Sequence, residues 1–287
     1  MPAQLAFNGL VTGLILALPA LALTLTFGIA RFPNFALGAM VTTGAYLAWA
    51  ANVLAGLPLL EAAVLAALGL ALVAMALDAC AFRWLRERDG MTLMVASIGL
   101  SFVLENACRF AFGNDARSLA VEVARPMRWH GLRINHEQLT AAATVLVLLV
   151  LMHLLLHHTR LGRAMRAVAD NAPLAAARGI ERGRIVSLTW AIAGALVGVA
   201  AVLIALDRAI DPLLGWNFQI PVFAAAILGG LGSPVGAVLG ALLIGLAEEL
   251  SALVLPTQYR QAVGFGIILL LLLLRPHGLF GRAVIRR

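Results

Sequence analysis

The 287-residue chain contains no lysine. That removes the phosphate-binding G-x-x-x-x-G-K-[ST] loop, whose lysine reaches the terminal phosphates, so the chain holds no nucleotide site of that kind. Cysteine occurs only as Cys80 and Cys108, in or beside apolar segments and with no metal-ligand spacing around them. They read as small buried hydrophobes. H-E-x-x-H, C-x-x-C and G-x-S-x-G are missing as well. His157 and His158 are adjacent and face different sides of a helix, which fits an interfacial pair better than a metal site. No enzyme, no cofactor and no metal is expected.

Charge is also scarce. Only 12% of residues are charged and 62% are hydrophobic, against about a quarter charged in a soluble domain. The net charge of +7 is carried entirely by arginine. A basic soluble protein would raise nucleic acid as a partner. Here the arginines gather in short connections between apolar runs, where the positive-inside bias accounts for them, and no nucleic acid is expected. The start, "MPAQLAFNGL", lacks a basic region ahead of its apolar run, so a retained first helix is expected rather than a signal peptide.

What the chain has in abundance is apolar length. Runs long enough to cross a bilayer recur at Leu5–Ala30, Phe35–Leu54, Leu59–Leu85, Met91–Phe112, Gln138–Leu156, Ile185–Leu206, Val235–Leu255 and Ala262–Leu274. A shorter run covers Phe218–Leu228. The expectation is an all-α polytopic membrane protein with about eight transmembrane helices, forming a single domain over residues 1–287. Open sheet edges cannot be satisfied in lipid, and a barrel would need short alternating segments instead of runs such as "LLLLLL". The arginines of "RWLRERDG", of Arg160–Ile180 and of the tail "RPHGLFGRAVIRR" place those connections in the cytoplasm. The N-terminus then lies outside, together with an extracytoplasmic connection over 114–137. That connection also holds Arg117, Arg125, Arg128 and Arg133, against the charge rule.

Glycine is positioned. "GGLGSPVGAVLGALLIG" places Gly232, Gly236 and Gly240 on one helix face, which suits a packing seam. Its start, Gly229, Gly230, Gly232 and Ser233 before Pro234, predicts a break in the helix, tolerated at membrane depth only where backbone is buried or lines a cavity. "FGIARFPNFALGAMVTTGAY" offers a counterpart in the first half, with Pro33 and Asn34 between apolar runs. Paired interruptions in two halves predict an inverted repeat with broken helices near the midplane.

Intramembrane charge is thin. Glu105 and Arg109 stand four apart and can pair on one helix; an internal ion pair and a substrate contact both remain open. Glu248 and Glu249 fall late in their span. A self-powered carrier needs carboxylates deep in its helices, so the energy is expected from outside. The stretch "RLGRAMRAVADNAPLAAARGI" then gains a meaning. Gly162–Asn171 predicts a short helix with Arg163, Arg166 and Asp170 on its polar side, Pro173 suits the first turn of a second, and Gly179 suits its end. Two short helices with a basic rim would make a docking knob; an amphipathic helix lying on anionic headgroups is the alternative.

This stretch, with "SLTWAIAGALVGVAAVL" after it, resembles the LivH-type permeases of branched-chain amino-acid ABC importers. "FPNFALGAMVTTGAY", "ASIGLSFVLEN", "FAAAILGGLGSPVGAVLGALLIGLAEE" and "LLLLRPHGLFGR" resemble the same family, in order, over nearly the whole chain. The resemblance implies a multi-pass permease of the bacterial inner membrane. Its partners would be a second homologous permease in a heterodimer, two cytoplasmic ATPase subunits and a periplasmic solute-binding protein. Gly162, Arg163, Arg166, Ala167, Asp170, Ala175, Gly179 and Ile180 would belong to the cytoplasmic coupling loop, 160–184. Asn34, Phe35 and Gly38 match the family's "NFAHG"-like element, although Ala36-Leu37 stands where the motif has Ala-His. With Ser97, Ser101, Gly229, Gly230, Gly232 and Ser233 they would line the translocation path. Relatives also handle urea, amides and other small solutes, and an ion-driven secondary carrier is the reading from another class.

Overall fold

A computed structural model describes residues 2–121, 127–129, 132–256, 259–274 and 278–280. Arg125 and the arginines of the C-terminal tail lie outside the described residues. The elements are α1 (Pro2–Ala30), α2 (Leu37–Trp49), α3 (Leu59–Leu77), α4 (Arg83–Leu85), α5 (Gly90–Phe112), the antiparallel strands β1 (Met127–Trp129) and β2 (Leu132–Ile134), α6 (His136–His158), α7 (Arg160–Asp170), α8 (Ala172–Ala177), α9 (Arg182–Asp207), α10 (Leu214–Gly229), α11 (Pro234–Ser251) and α12 (Arg260–Leu274). A π-helical turn extends α2 to Leu54, and another, Asp78–Phe82, joins α3 to α4.

Seven of the described helices are long and apolar enough to cross a bilayer. The sequence predicts eight, and the difference lies at the C-terminal end of the chain. There α12 has 15 described residues, fewer than the roughly 17 of the shortest spans; α10, which the sequence already sets apart as a shorter run, has 16. Helix α10 starts four residues earlier than the apolar run predicts and stops where Gly230 takes a φ of 98°.

The helices form two antiparallel sets. Helix α1 runs from the end where Gln4 exchanges hydrogen bonds with the Arg133 backbone to the end where Arg31 meets α7. Helix α9 starts just after α8 and runs back, so that Asp207 lines a cavity with Asn8, Asn135 and Glu249. Each of these two buried helices is followed by six non-helical residues, 31–36 and 208–213, then by a short buried helix, α2 or α10. The packing is reciprocal. α1 lies on α11 and α9 on α3; α2 packs on α3 and α5, and α10 on α11 and α12. These contacts relate the two halves as an inverted repeat, but its second interruption is segment 208–213 and not the Gly229–Ser233 break that the glycines predict.

Small residues make the two long contacts possible. Gly9 and Gly13 press on the α11 backbone at Ala241–Leu246, and Gly194 and Gly198 press on α3 at Ala66–Ala74, leaving no room for a Cβ at any of the four. Both are G-x-x-x-G faces. In lipid no water is released between apolar helices, so close backbone approach and dispersion supply the association. Helices α3, α5 and α6 turn large apolar side chains such as Leu72, Val103 and Leu151 outward, as lipid-facing helices do.

Candidate functional site

The two short helices α2 and α10 cross at their first turns. Gly38 lies against the Gly215 backbone, and a Cβ on either would strike the other. The Gly38 N–H donates to Gln219 Oε1 at 3.1 Å, and the Gly215 N–H donates to Thr42 Oγ1 at 2.9 Å. Each helix thus satisfies one unpaired N-terminal amide of the other. Gln219 Nε2 also donates to the Phe35 carbonyl at 2.9 Å, and the Phe35 and Phe223 rings pack at a tilt with centroids 4.8 Å apart. Ahead of the helices, Asn34 Oδ1 accepts the Ala36 N–H and Asp211 Oδ1 accepts the Leu213 N–H. The same side-chain turn therefore opens both repeats.

This crossing is deep. Gly90, at the start of α5, packs on the Arg31 carbonyl, and Ser97 Oγ accepts the Phe35 N–H at 3.0 Å. At about 1.5 Å of rise per residue, Phe35 lies roughly 10 Å further in than Arg31. Residues 32–36 are thus non-helical backbone packed into the bundle, where Ser97, Gln219 and Asn34 meet the polar groups of Phe35 and Ala36.

Helix α5 turns Leu93, Ser97, Ser101, Glu105 and Cys108 toward the interior. Ser101 donates to the Ile98 carbonyl of its own helix. Glu105 is buried and holds three donors: Arg109 Nη2 at 2.6 Å, Arg109 Nε at 3.2 Å and Trp216 Nε1 at 2.8 Å. The i, i+4 ion pair is therefore internal, and the indole ties α5 to the start of α10.

At the opposite end from Gln4, α7 and α8 form the basic knob. Thr159 Oγ1 accepts the Gly162 N–H and caps α7, which therefore starts two residues earlier than predicted. Asn171 caps α8 with Pro173 in its first turn. The Ile180 N–H returns to the Ala175 carbonyl and the Gly179 N–H to the Ala176 carbonyl, the two bonds of a Schellman ending. Gly179 has a φ of 81°, where a side chain would be strained. Gly162, Met165, Val168 and Ala175 are buried against the bundle, and Gly162 sits on the Leu155 and Leu156 carbonyls. Arg163, Arg166, Asp170, Leu174, Ala176 and Arg178 face outward, Leu174 with 58% of its surface exposed. Arg166 also donates to the Leu156 carbonyl at the end of α6. A rigid apolar tip with a basic rim results.

Beside the knob, Asp78 is buried in the π turn after α3. Arg86 Nη2 reaches both its oxygens, at 2.5 and 2.7 Å, and Ser187 Oγ of α9 donates to it at 3.0 Å. Phe82 stacks on Trp190 with ring centroids 4.8 Å apart and packs at a tilt against Phe32 at 5.2 Å.

The family described as branched-chain amino acid transport system / permease component covers residues 5–273. The chain belongs to this family. It is 33% identical over 300 residues to the high-affinity branched-chain amino acid transport system permease protein BraD of Pseudomonas aeruginosa, covering 99% of this chain and 97% of that one. It is 30% identical to the corresponding protein LivH of Escherichia coli, again over 99% and 97% of the two chains. A solved chain of PsaBC from Streptococcus pneumoniae in complex with Fab aligns with a TM-score of 0.48 at 15% identity, over 92% of this chain and 90% of that one.

In this permease the residues picked from sequence fall into three groups. Asn34, Phe35, Gly38 and Ser97 meet at the crossing. Ser101 lies one turn along α5 from Ser97, its hydroxyl engaged by its own helix. Gly229, Gly230, Gly232 and Ser233 form the turn between α10 and α11, where Gly229 packs on Gly236 and the Leu228 and Gly229 carbonyls accept the N–H groups of Leu279 and Phe280. The apolar reading passed over Thr42, Asp211, Gly215, Gln219 and Trp216. A signal for two of them is present: "NFALG" at Asn34–Gly38 and "DPLLG" at Asp211–Gly215 share a capping side chain, a leucine and a glycine at equal spacing.

Proposed function

We propose that this permease forms the transmembrane path of an ATP-binding-cassette importer in the bacterial inner membrane. Its cargo is branched-chain amino acids or similar small polar solutes, the class named for BraD and LivH. The α7–α8 knob, within 160–184, is the cytoplasmic surface on which a separate ATPase subunit docks, and the connection at 114–137 faces the periplasmic solute-binding protein. A second, homologous permease completes the path, and two ATPases drive the pair.

The observation that carries this reading is the knob. Its backbone is locked by two caps and a Schellman ending, yet it leaves Leu174 and three arginines facing outward. A segment built only to lie on headgroups would need no such rigid apolar tip. Energy from outside the chain also fits the buried carboxylates Asp78 and Glu105, since each is paired with an arginine of this chain. Of the contacts made by Arg117, a cation–π contact with Trp49 at 5.0 Å and a bond to the Phe112 carbonyl tie that arginine to the protein. It therefore weighs little in the charge rule for 114–137.

The test is Leu174→Glu in the complete complex reconstituted in liposomes with leucine as solute. Loss of ATPase co-purification and of ATP-driven leucine uptake supports the reading. Normal assembly and uptake would overturn the docking surface, and uptake driven by an ion gradient without ATPase subunits would overturn the importer itself. Uptake of urea in place of leucine would move the cargo within the family.

A further inference from the structure

Among the described residues Arg31 is the one non-glycine residue with positive φ, at 57°. That conformation brings Cβ close to the backbone and is uncommon outside glycine and asparagine. Its backbone role is ordinary: the Arg31 N–H closes the last turn of α1 on the Phe27 carbonyl, a task glycine performs without strain. Nor does the repeat demand it. The corresponding residue after α9, Arg208, has a φ of −137°. What sets Arg31 apart is its side chain. Although exposed, it donates from Nη2 to the Ala169 carbonyl, 3.1 Å away in the last turn of α7. Carbonyls there lack intrahelical partners and carry the negative end of the helix dipole.

We propose that Arg31 is the positioning residue that links the docking knob to the deep crossing of α2 and α10. It is the first residue of segment 31–36. Two residues before the segment ends, Asn34 turns the chain, and Phe35 is pinned to Ser97 and Gln219. In between, Phe32 packs at a tilt against Phe82, which is itself stacked on Trp190 of α9. A displacement of α7 therefore pulls on backbone that has no helical bonds to stretch and that ends at the Gly38–Gly215 contact. The strained φ persists because the guanidinium has to reach α7 from this point.

This inference rests on the proposed docking of an ATPase at α7–α8, and the experiment separates the two. In the reconstituted complex, Arg31→Gly removes the side chain and the strain together, while Arg31→Ala removes the side chain and keeps the strain. Both variants should still co-purify with the ATPase and hydrolyse ATP, with solute taken up per ATP falling at least fivefold. If Arg31→Gly keeps the wild-type ratio, the side chain transmits nothing and the proposal fails, whatever Arg31→Ala does. Leu174→Glu is run in parallel. If it leaves assembly and uptake intact, the docking surface is wrong and the link falls with it. If it abolishes assembly while Arg31→Gly keeps its ratio, only the link falls.

Discussion

Gln219 is the residue whose loss should be felt most at the crossing. It is 4% exposed, accepts from the Gly38 N–H and donates to the Phe35 carbonyl. Gln219→Leu keeps nearly the same volume and removes both bonds. The nearby hydroxyls are already engaged: Ser97 accepts the Phe35 N–H and donates to the Met94 carbonyl, and Thr42 accepts the Gly215 N–H. An orphaned buried polar group costs about 1–3 kcal/mol, so the pair should cost roughly 2–5 kcal/mol. At about 2–4 °C per kcal/mol for a chain of this size class, thermal unfolding in detergent should fall on the order of 5–15 °C. Gln219→Glu keeps the acceptor for Gly38 but sets a carboxylate against the Phe35 carbonyl, and should be no better. Asn106→Leu is the control. Asn106 is exposed and, among the described residues, donates to the Phe102 carbonyl of its own helix, so its loss should leave the midpoint within about 2 °C, as surface substitutions usually do. A Gln219→Leu midpoint as close to wild type as the control would show that the crossing does not depend on these bonds.

Two further substitutions probe the braces on either side. Asp78→Ala strands Arg86 beside α9 and should cost about 3–5 kcal/mol, the usual penalty for breaking a buried pair from one side; restoration of most of the loss by Arg86→Met on the same background would confirm the source, and thermal unfolding reads both. Trp216→Phe keeps an aromatic ring at the start of α10 but withdraws the indole donor from Glu105. It should cost about 1–2 kcal/mol, and an unchanged unfolding midpoint would mean that the α5–α10 brace carries no weight.

The readings that succeeded from sequence rest on local chemistry. Pro173 and Gly179 have one natural place each at helix ends, so the two-helix knob could be read before any packing was known. The start of α7 was missed by two residues because Thr159 follows two histidines inside an apolar run, and nothing local marks it as a cap. Glu105 and Arg109 were legible as an i, i+4 pair, whereas their third partner, Trp216, lies 111 residues beyond Glu105 and no periodicity could supply it. Segment 208–213 was overlooked for a related reason. Asp211 and Pro212 carry only a weak breaker signal, while "GGLGSP" carries the stronger one and draws the second interruption to the α10–α11 turn. Only the reciprocal bonds between Gly38 and Gln219 and between Gly215 and Thr42 show which two breaks correspond.

By itself the sequence determined the solvent this chain lives in, its helical class, the absence of a lysine-bearing nucleotide loop and the shape of the knob. Those follow from composition and from interactions within about four residues, and such interactions hold wherever the segment ends up. Tertiary structure decided which helices would be buried, which glycines would meet backbone to backbone and which side chain would answer each unpaired amide at depth. In lipid an unsatisfied amide is expensive, and a distant part of the chain supplies its partner. The position of Gln219 under Gly38 is therefore a property of the packed bundle, and neither segment announces it alone.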